Sequence, residues 1–387
     1  MPFQLPEYTP PDFSHLPLSS MPPARTDKAP RDGVAPENYH ATSNHPEYVH
    51  LGDGEWILVA ESRMDCVLVL CGDTIAATEV RNLKQGDDVI VGRTENGEEG
   101  IFVHVEGFAV DSREYADKFS FRTRGTRETP FSRSYDTLYD LLRHDRQQGY
   151  IVWVLGPAVA FDKDSRDAMQ QLIEAGYCDA LLAGNALATH DLEASRFRTG
   201  LGQDIYSQEP KRQGHYHHLD IINAVRKCGS IKETVRKLDL NDGIMYACEK
   251  CSVPYVLAGS IRDDGPLPEV IANAYEAQDA MRPHARKATT VVAMATQLHS
   301  IAFGNMTPSY RIMEDGGVRP VYFNIVDISE FSVDKLANRG SSQATSVVTN
   351  VQDFVVNLWK NLMEPASCAN QSMFQQPSPA RILSREQ

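Results

Sequence analysis

Two segments of the chain place polar and charged side chains directly after an apolar run. The first run covers residues 181–183 and the second covers residues 256–258. The candidate site residues are Gly184, Asn185, Ala186, His190 and Asp191 after the first run, and Gly259, Ser260, Arg262, Asp263 and Asp264 after the second. In an open α/β sheet, ligands bind beyond the carboxyl ends of parallel strands. Because a fold does not require so many charged groups at strand ends, we predict that both segments line one ligand site.

Five apolar runs alternate with helical patterns in the second part of the chain and must position these residues. We predict strands at 150–155, 180–182, 255–257, 290–294 and 321–326. We predict helices at 134–148, 165–175, 217–228, 230–238, 269–283 and 332–338, and a final amphipathic helix at 351–363. Such alternation is typical of a parallel sheet that helices cover on both faces. The five strand ends are therefore expected to meet at one edge of the sheet.

The residues after the last two strands extend the candidate site. Ser300 and Asn305 follow the fourth strand, and Asp327 follows the fifth. In dinucleotide-binding folds, an acidic residue in such a place accepts hydrogen bonds from ribose hydroxyls and disfavours the extra phosphate of NADP. Asp327 therefore predicts NAD, although a helix N-cap is the other interpretation. Gly184 and Gly259 would allow backbone N–H groups to come close to phosphates.

The usual phosphate-binding fingerprints are missing from the sequence. Gly200-Leu201-Gly202 lacks the third glycine and follows a helix-like segment rather than a strand. Any dinucleotide is thus expected to bind to a variant of the fold. The predicted cofactor-binding residues are Gly184, Asn185, Ala186, Asp191, Gly259, Ser260, Ser300, Asn305 and Asp327.

Several histidines and acidic residues lie close together in the sequence. They are His190, His215, His217, His218, Asp191 and Glu193. Their spacing is not that of a recognised metal site, so we predict no metal. Proton transfer or hydrogen bonding by one or two of the histidines is the stronger interpretation, with structural caps as the alternative. Cys248 and Cys251 have CxxC spacing without a second pair, and we expect neither zinc nor redox chemistry there.

Composition and charge exclude some classes of function. The chain has 387 residues, of which 42% are apolar and 23% charged, and a net charge of −14. Nucleic-acid binding would require a basic face, so we predict a small-molecule substrate and no nucleic-acid partner. No apolar run approaches ~18 residues, so we predict no membrane span. Seven cysteines without a framework spacing favour a reducing compartment, and the start does not have the form of a secretory signal, so we predict a cytoplasmic protein.

The chain divides into four predicted regions. Residues 1–45 are rich in proline and read as a weakly ordered arm, or as a packing arm for a partner subunit. Residues 46–130 form a small β-rich domain with strands at 56–60, 66–70, 88–92 and 101–105. Residues 131–364 form the α/β domain, and residues 365–387 form a tail. We predict a homo-oligomer.

An ordered series of long motifs resembles a known family. The motifs are GPAVAF at 156–161, CDALLAGNALATHDLE at 178–193, GLGQDI at 200–205, GHYHHLDIINAV at 214–225, VPYVLAGSIRDDGPLPEV at 253–270, ATQLHSIAFGNMTPS at 295–309 and VDISEFSVDKLANRGSSQA at 326–344. The series resembles the conserved region of the lysine-oxoglutarate reductase/saccharopine dehydrogenase type, which archaeal-type ornithine cyclodeaminases share with the C-terminal half of bifunctional arginine-degrading proteins. The resemblance covers roughly residues 50–360.

The resemblance implies a fold and an activity. The fold is a mainly parallel, Rossmann-like sheet of the deoxyhypusine-synthase type that binds NAD, with a smaller β-rich N-terminal domain. The activity is conversion of L-ornithine to L-proline and ammonia, with hydride transfer to and from bound NAD. For this reaction we predict that Arg262 clamps the substrate carboxylate and that Asp263 or Asp264 transfers protons or holds the distal ammonium. His190 or His215 would relay protons.

Three other functions stay open at this point. One is an amino-acid dehydrogenase or imine reductase that releases NADH. Another is a non-catalytic NAD-binding module, against which the charged Arg262-Asp263-Asp264 set argues. The third is a cyclodeaminase for a relative of ornithine such as lysine, since one methylene changes binding by only ~1–3 kcal/mol.

Overall fold

A computed structural model describes residues 4–108, 132–261, 263, 265–329 and 343–363 of the chain. The N-terminal part consists of short antiparallel strands, as the alternating apolar runs predicted. The strands are β1 (Arg25–Lys28), β2 (Glu47–Gly52), β3 (Glu55–Leu58), β4 (Val67–Cys71), β5 (Thr74–Thr78), β6 (Asp88–Val91) and β7 (Ile101–Val103). They form one sheet of order β1-β6-β4-β5 and another of order β3-β2-β7.

The first 45 residues supply strand β1, which pairs with β6 from the predicted β-rich domain. The chain before β1 also contacts this domain, since the hydroxyl groups of Tyr8 and Tyr48 lie 2.8 Å apart. Residues 25–28 are therefore an ordered strand and not part of a weakly ordered arm. The boundaries at residues 45, 130 and 364 stay predictions.

The second part alternates strands and helices. In chain order it contains α1 (Ser132–Gln148), β8 (Ile151–Leu155), α2 (Lys163–Glu174), β9 (Ala180–Gly184), α3 (Asn185–Phe197), the hairpin of β10 (Thr199–Gly200) and β11 (Gln203–Asp204), α4 (His217–Cys228), α5 (Ile231–Lys237), α6 (Ile244–Cys251), β12 (Tyr255–Ala258), β13 (Val270–Ile271), α7 (Ala274–Lys287), β14 (Thr290–Met294), α8 (Gln297–Met306), the hairpin of β15 (Tyr310–Ile312) and β16 (Val318–Pro320), β17 (Tyr322–Asp327), β18 (Gln343–Val348) and α9 (Val351–Met363).

Seven strands of this second part form one sheet, in the order β13-β12-β9-β8-β14-β17-β18. Every neighbouring pair in the sheet is parallel. The chain moves outward from β8 through β9 and β12, then returns to the other side of β8 at β14. The strand order therefore reverses between β8 and β14. In open α/β sheets, ligands bind in the crevice beside such a switch point, beyond the carboxyl ends of the strands.

Helices cover both faces of this sheet, as predicted from the continuous apolar runs. Trp153 and Leu155 of β8 pack into one hydrophobic cluster with α2, α3, α6 and α9. Val152 and Val154 of the same strand pack into a second cluster on the opposite face with α7 and α8. Because side chains alternate along a strand, a run that is buried on both faces must be apolar throughout.

The sequence analysis did not predict helix α3, which begins at Asn185, directly after the apolar run at 181–183. Gly184 is the N-cap and makes no side-chain cap bond, so the usual Ser, Thr, Asp or Asn start signal is absent. Thr189, His190, Asp191 and Glu193 are buried polar residues of this helix, which removes its amphipathic pattern. Helix α8 and strands β13 and β18 were also not predicted. The helix predicted at 332–338 and the tail at 365–387 lie outside the described residues.

Candidate active site

Two helices begin at the carboxyl edge of the sheet, close to the switch point. Helix α3 follows β9 without a connecting loop, and only two residues separate the end of β14 from the start of α8. Their N-caps, Gly184 and Thr296, make no side-chain cap hydrogen bond. The first backbone N–H groups of a helix have no partner within the helix, and together with the helix dipole they favour an anionic ligand. Two uncapped N-termini at one edge thus suit phosphate groups.

His299 lies between these two helix starts. It belongs to the first turn of α8, and its ring reaches Gly184 at the start of α3. A Cβ atom placed on Gly184 would stand 2.9 Å from Cε1 of His299, so only glycine lets the ring come this close. Nδ1 of His299 lies 3.3 Å from the hydroxyl of Thr296. Burial lowers the pKa of His299, and the negative charge of Asp263 opposes this shift.

The loop after β12 brings Asp263 to the same place. Its Oδ2 accepts a hydrogen bond of 2.8 Å from the backbone N–H of Ser260, and its own N–H donates to the Ser260 carbonyl. The far end of the loop is held by Asn185, whose Oδ1 accepts from the N–H of Leu267 at 3.0 Å. The structure therefore brings together Gly184, Asn185, Ser260 and Asp263, as the two sequence segments predicted.

The backbone segments that follow β8 and β14 pack tightly against each other. A Cβ atom on Gly156 would clash with the carbonyl oxygen of Ala295, so this position has room for glycine alone. Ala295 itself has φ +55°, a left-handed conformation that a residue other than glycine rarely adopts. Such strain is concentrated at functional sites. The switch point is thus a place where the chain accepts unfavourable geometry.

Asp327 ends β17, next to β14, as predicted. Its Oδ1 accepts a hydrogen bond of 2.9 Å from the N–H of Ser329. Ser300 is buried in the first turn of α8, where its hydroxyl donates to the Thr296 carbonyl. Arg262 and Asp264 lie outside the described residues, so their predicted roles remain predictions.

Two predicted site residues lie elsewhere. Asn305 is close to the end of α8, about 12 Å along the helix axis from its start, and its carbonyl accepts a hydrogen bond from Arg63 of the N-terminal region. His215 is exposed in the segment before α4, with its ring against that of Tyr216. Neither contact favours a part in the site at the strand ends.

The carboxylate of Asp191 has partners inside the protein rather than at the edge. Its Oδ1 accepts from Nε of Arg166 at 2.7 Å and from the N–H of Ile244, and its Oδ2 accepts from the N–H of Met245. Asp191 and Arg166 are both fully buried. The aspartate thus neutralises a buried arginine and caps the start of α6, which accounts for its presence without a cofactor contact.

His190 also belongs to a buried network. Its Nδ1 lies 3.0 Å from Oε2 of Glu193, one turn further along α3, and its ring stacks on that of His218 from α4. Glu193 also accepts from the Thr199 hydroxyl at 2.9 Å and from the N–H of Gly202 at 3.0 Å. Burial alone would raise the pKa of Glu193, but these hydrogen bonds hold it below its usual value.

Three residues of this network, His190, Glu193 and His218, each offer one potential metal-ligand atom. These three atoms lie within 4.8 Å of one another, which is close enough to hold a metal ion. The carboxylate is, however, already occupied by hydrogen bonds from the chain. This network explains the buried glutamate without an ion, and the absence of a metal stays a prediction.

A cavity of about 1000 Å³ lies at the opposite edge of the sheet. It is lined by the N-terminal arm at Tyr8, by Gly149 before β8 and by Arg319 of β16. It contains none of the residues predicted for the site. We place the site at the carboxyl edge because the strand order reverses there and two uncapped helices converge on it.

His299 is the site residue that the sequence analysis did not select. It stands beside the selected Ser300, in a segment whose apolar residues gave no helix signal. The available signal was its position five residues after a fully buried strand. The same argument that singled out the residues after β9 and β12 would have found it.

Comparisons with known proteins agree with this architecture. The family model described as "Arginine dihydrolase ArgZ-like, C-terminal, Rossmann fold" matches residues 138–358, and the model of the first region of the same C-terminal part matches residues 46–126. An ornithine cyclodeaminase of Methanopyrus kandleri is 41% identical over 349 residues, which are 87% of this chain and 78% of the relative. The chain therefore belongs to the ArgZ-like C-terminal family.

Solved structures of similar proteins share this fold. A LOR/SDH protein from Methanococcus maripaludis S2 has a TM-score of 0.79 and 38% identity, over 88% of this chain and 98% of the other. A ternary complex of AgrE with ornithine and NAD⁺ has a TM-score of 0.56 and 33% identity, over 90% of this chain and 46% of AgrE. The bifunctional ArgZ of Synechocystis sp. is 35% identical over 90% of this chain and 48% of its own length. The predicted family and fold class are thereby confirmed.

Proposed function

We propose that this protein is an NAD-dependent cyclodeaminase that converts L-ornithine, or a close diamino acid, to L-proline or the corresponding cyclic imino acid and ammonia. The observation that carries the proposal is the convergence of His299, Asp263 and two uncapped helix starts at the switch point of an ArgZ-like sheet. Family membership supports it, since the relative from Methanopyrus kandleri is named an ornithine cyclodeaminase.

The residues at the carboxyl edge fit a dinucleotide. The N–H groups at the start of α3, on Asn185 and Ala186, would hold phosphate oxygens. Asp327 would accept hydrogen bonds from ribose hydroxyls, because it ends the strand next to β14, in the position such a carboxylate takes in dinucleotide folds. AgrE, a relative, was crystallised with ornithine and NAD⁺.

When bound, NAD would supply a hydride acceptor that can later return the hydride, so that the reaction is redox-neutral. The protein must orient the α-carbon, hold the carboxylate and move protons. We propose Arg262 for the carboxylate and Asp263 or Asp264 for the distal ammonium. Ser260 orients Asp263 through the hydrogen bond from its N–H.

The test is to incubate the purified protein with L-ornithine, with and without added NAD, and to measure proline, ammonia and NADH. We expect equal amounts of proline and ammonia with no net NADH. Steady accumulation of NADH would instead indicate a dehydrogenase, and tight NAD binding without turnover of any diamino acid would indicate a binding module. Parallel assays with L-lysine and shorter diamino acids identify the substrate.

We further infer that the protein is a homo-oligomer in the cytoplasm. Residues 201–219, in and before α4, carry exposed apolar side chains that would contribute to such an association; they are Leu201, Tyr206, Tyr216 and Leu219. Within the described parts of the chain, no helix is long and apolar enough to cross a membrane. Light scattering at two protein concentrations tests the oligomer.

A further inference from the structure

The proposed reaction requires a base at the α-amino group. At neutral pH this group of a diamino acid is an ammonium, which has no lone pair. Hydride can leave the α-carbon only when the nitrogen lone pair can form the C=N bond that replaces the lost C–H bond. One proton must therefore move from the α-ammonium to the protein first.

His299 stands where such a base is needed. Its ring is mostly buried at the switch point, between the start of α3 at Gly184 and the loop that carries Asp263. Strands β8 and β9, which pack against α8, contain no titratable side chain. On α7, Asp279 and Arg282 form ion pairs with each other, and their other partners are residues of the N-terminal region. Among the described groups, Asp263 is therefore the charge that acts on His299.

We infer that His299 accepts the proton of the substrate α-ammonium; the inference rests on the proposed function. With the ring proton on Nδ1, from which it can be donated to the Thr296 hydroxyl 3.3 Å away, the lone pair lies on Nε2. The N–H bond of the ammonium breaks, its electron pair stays on nitrogen, and the proton binds to Nε2. The resulting imidazolium is stabilised by the carboxylate of Asp263. The δ-ammonium releases a second proton before its nitrogen attacks the α-carbon. Over one cycle one of the two protons leaves with the departing ammonia as ammonium and the other returns to the ring nitrogen of the product, so the charges balance.

The surroundings give His299 the properties of such a base. Burial lowers its pKa, so the ring is neutral at neutral pH and can accept a proton. The N-terminus of α8 acts in the same direction, because the positive end of a helix dipole disfavours an imidazolium in the first turn. The negative charge of Asp263 opposes part of this shift in pKa.

The experiment compares wild type with His299→Asn, and uses His284→Asn as a matched control. His284 is also a partly buried histidine with a lowered pKa, but it lies on α7 and bonds to Tyr150 before β8, at the other edge of the sheet. We expect His299→Asn to lower kcat by ~10²–10⁴-fold. NAD affinity, measured by calorimetry, should change by less than about threefold, and His284→Asn should behave as wild type.

The pH profile distinguishes proton transfer from a structural role. In wild type, kcat/KM for ornithine should fall as the pH drops through the lowered pKa of His299, which lies below the ordinary histidine value of about 6.5, because His299 becomes protonated. This acid limb should be absent from the residual activity of His299→Asn, and added imidazole should restore part of the activity of His299→Ala.

An unchanged acid limb in His299→Asn, or a loss of activity matched by a loss of NAD binding, would overturn the role of His299. If wild type itself formed no cyclic product from any diamino acid, the proposed function would fail, and this role with it. The wild-type assay therefore separates the two failures.

Discussion

Gly184 and His299 meet at the carboxyl edge of the sheet, where one is the N-cap of α3 and the other lies in the first turn of α8. The separation of 2.9 Å between a Cβ at residue 184 and Cε1 of His299 leaves no room for a side chain. The glycine thus lets the imidazole approach the start of α3 closely. This contact joins the two halves of the sheet on either side of the switch point.

Gly184→Ala should reduce activity without unfolding the protein. Gly184 has φ −96°, which alanine readily adopts, and the clashing atom is at the end of a side chain that can move. Displacement of the ring by about 1 Å can cost on the order of 100-fold in rate. We expect a clear loss of kcat with a nearly unchanged melting temperature.

Gly304→Ala is the control for this change, since its Cβ would be at an ordinary distance of 3.6 Å from Phe323. That variant should keep full activity. Equal activity of Gly184→Ala and wild type would show that the position of the His299 ring does not matter.

Asp191→Ala should destabilise the fold rather than weaken cofactor binding selectively. Removing one partner of a buried ion pair typically costs about 3–5 kcal/mol. Among the described residues, Arg166 would then keep Asp242 as its one carboxylate partner, and the start of α6 would lose its cap. Urea unfolding measures the loss of free energy of unfolding.

Asp140→Ala provides the comparison, because Asp140 forms a partly exposed pair with Arg143 at 3.1 Å. We expect that change to cost less than about 1 kcal/mol. A stable Asp191→Ala protein with greatly weakened NAD binding would restore the original prediction of a cofactor contact.

Asp145 should make stability depend on pH in the acid range. Its buried carboxylate accepts hydrogen bonds from Arg319 at 2.9 and 3.1 Å, and from the hydroxyls of Thr289 and Thr290. Burial alone would raise the pKa of Asp145, but Arg319 and these donors hold it below its usual value. A depressed folded-state pKa adds stability above the unfolded pKa of about 3.9, and this is lost as the pH falls through the folded value.

We therefore expect the free energy of unfolding of wild type to fall steeply with acidification below about pH 4. Asp145→Asn should be less stable at pH 7 and should show a shallower acid dependence. Parallel curves for the two proteins would mean that Asp145 contributes nothing to the acid transition.

Metal removal should leave the protein unchanged. The only cluster found in the described ranges with ligand atoms close enough is His190, Glu193 and His218, and its carboxylate is held by Thr199 and Gly202. Dialysis against EDTA should change neither the melting temperature nor the activity. A rise in melting temperature of several degrees on addition of Zn²⁺, lost in Glu193→Gln, would instead reveal a metal site.

The sequence by itself determined the five middle strands of the central sheet and indicated its carboxyl edge as the place of the candidate site. The strands β8 and β14 are apolar at every position because both of their faces are buried, and such runs can be recognised without a structure. The glycines and polar residues that follow β9 and β12 indicated the carboxyl edge, because they stand directly after apolar runs in the sequence. The motifs from residue 156 to residue 344 also indicated the family.

Only the tertiary structure decided which polar residues reach the site. Asp191 and His299 both follow a buried strand closely, yet one turns inward to Arg166 and the other reaches Gly184 across the switch point. Helix α3 could not be predicted because its start lacks a cap signal and its polar residues are buried by neighbouring helices. The direction of a side chain depends on partners distant in sequence, and local patterns do not contain that information.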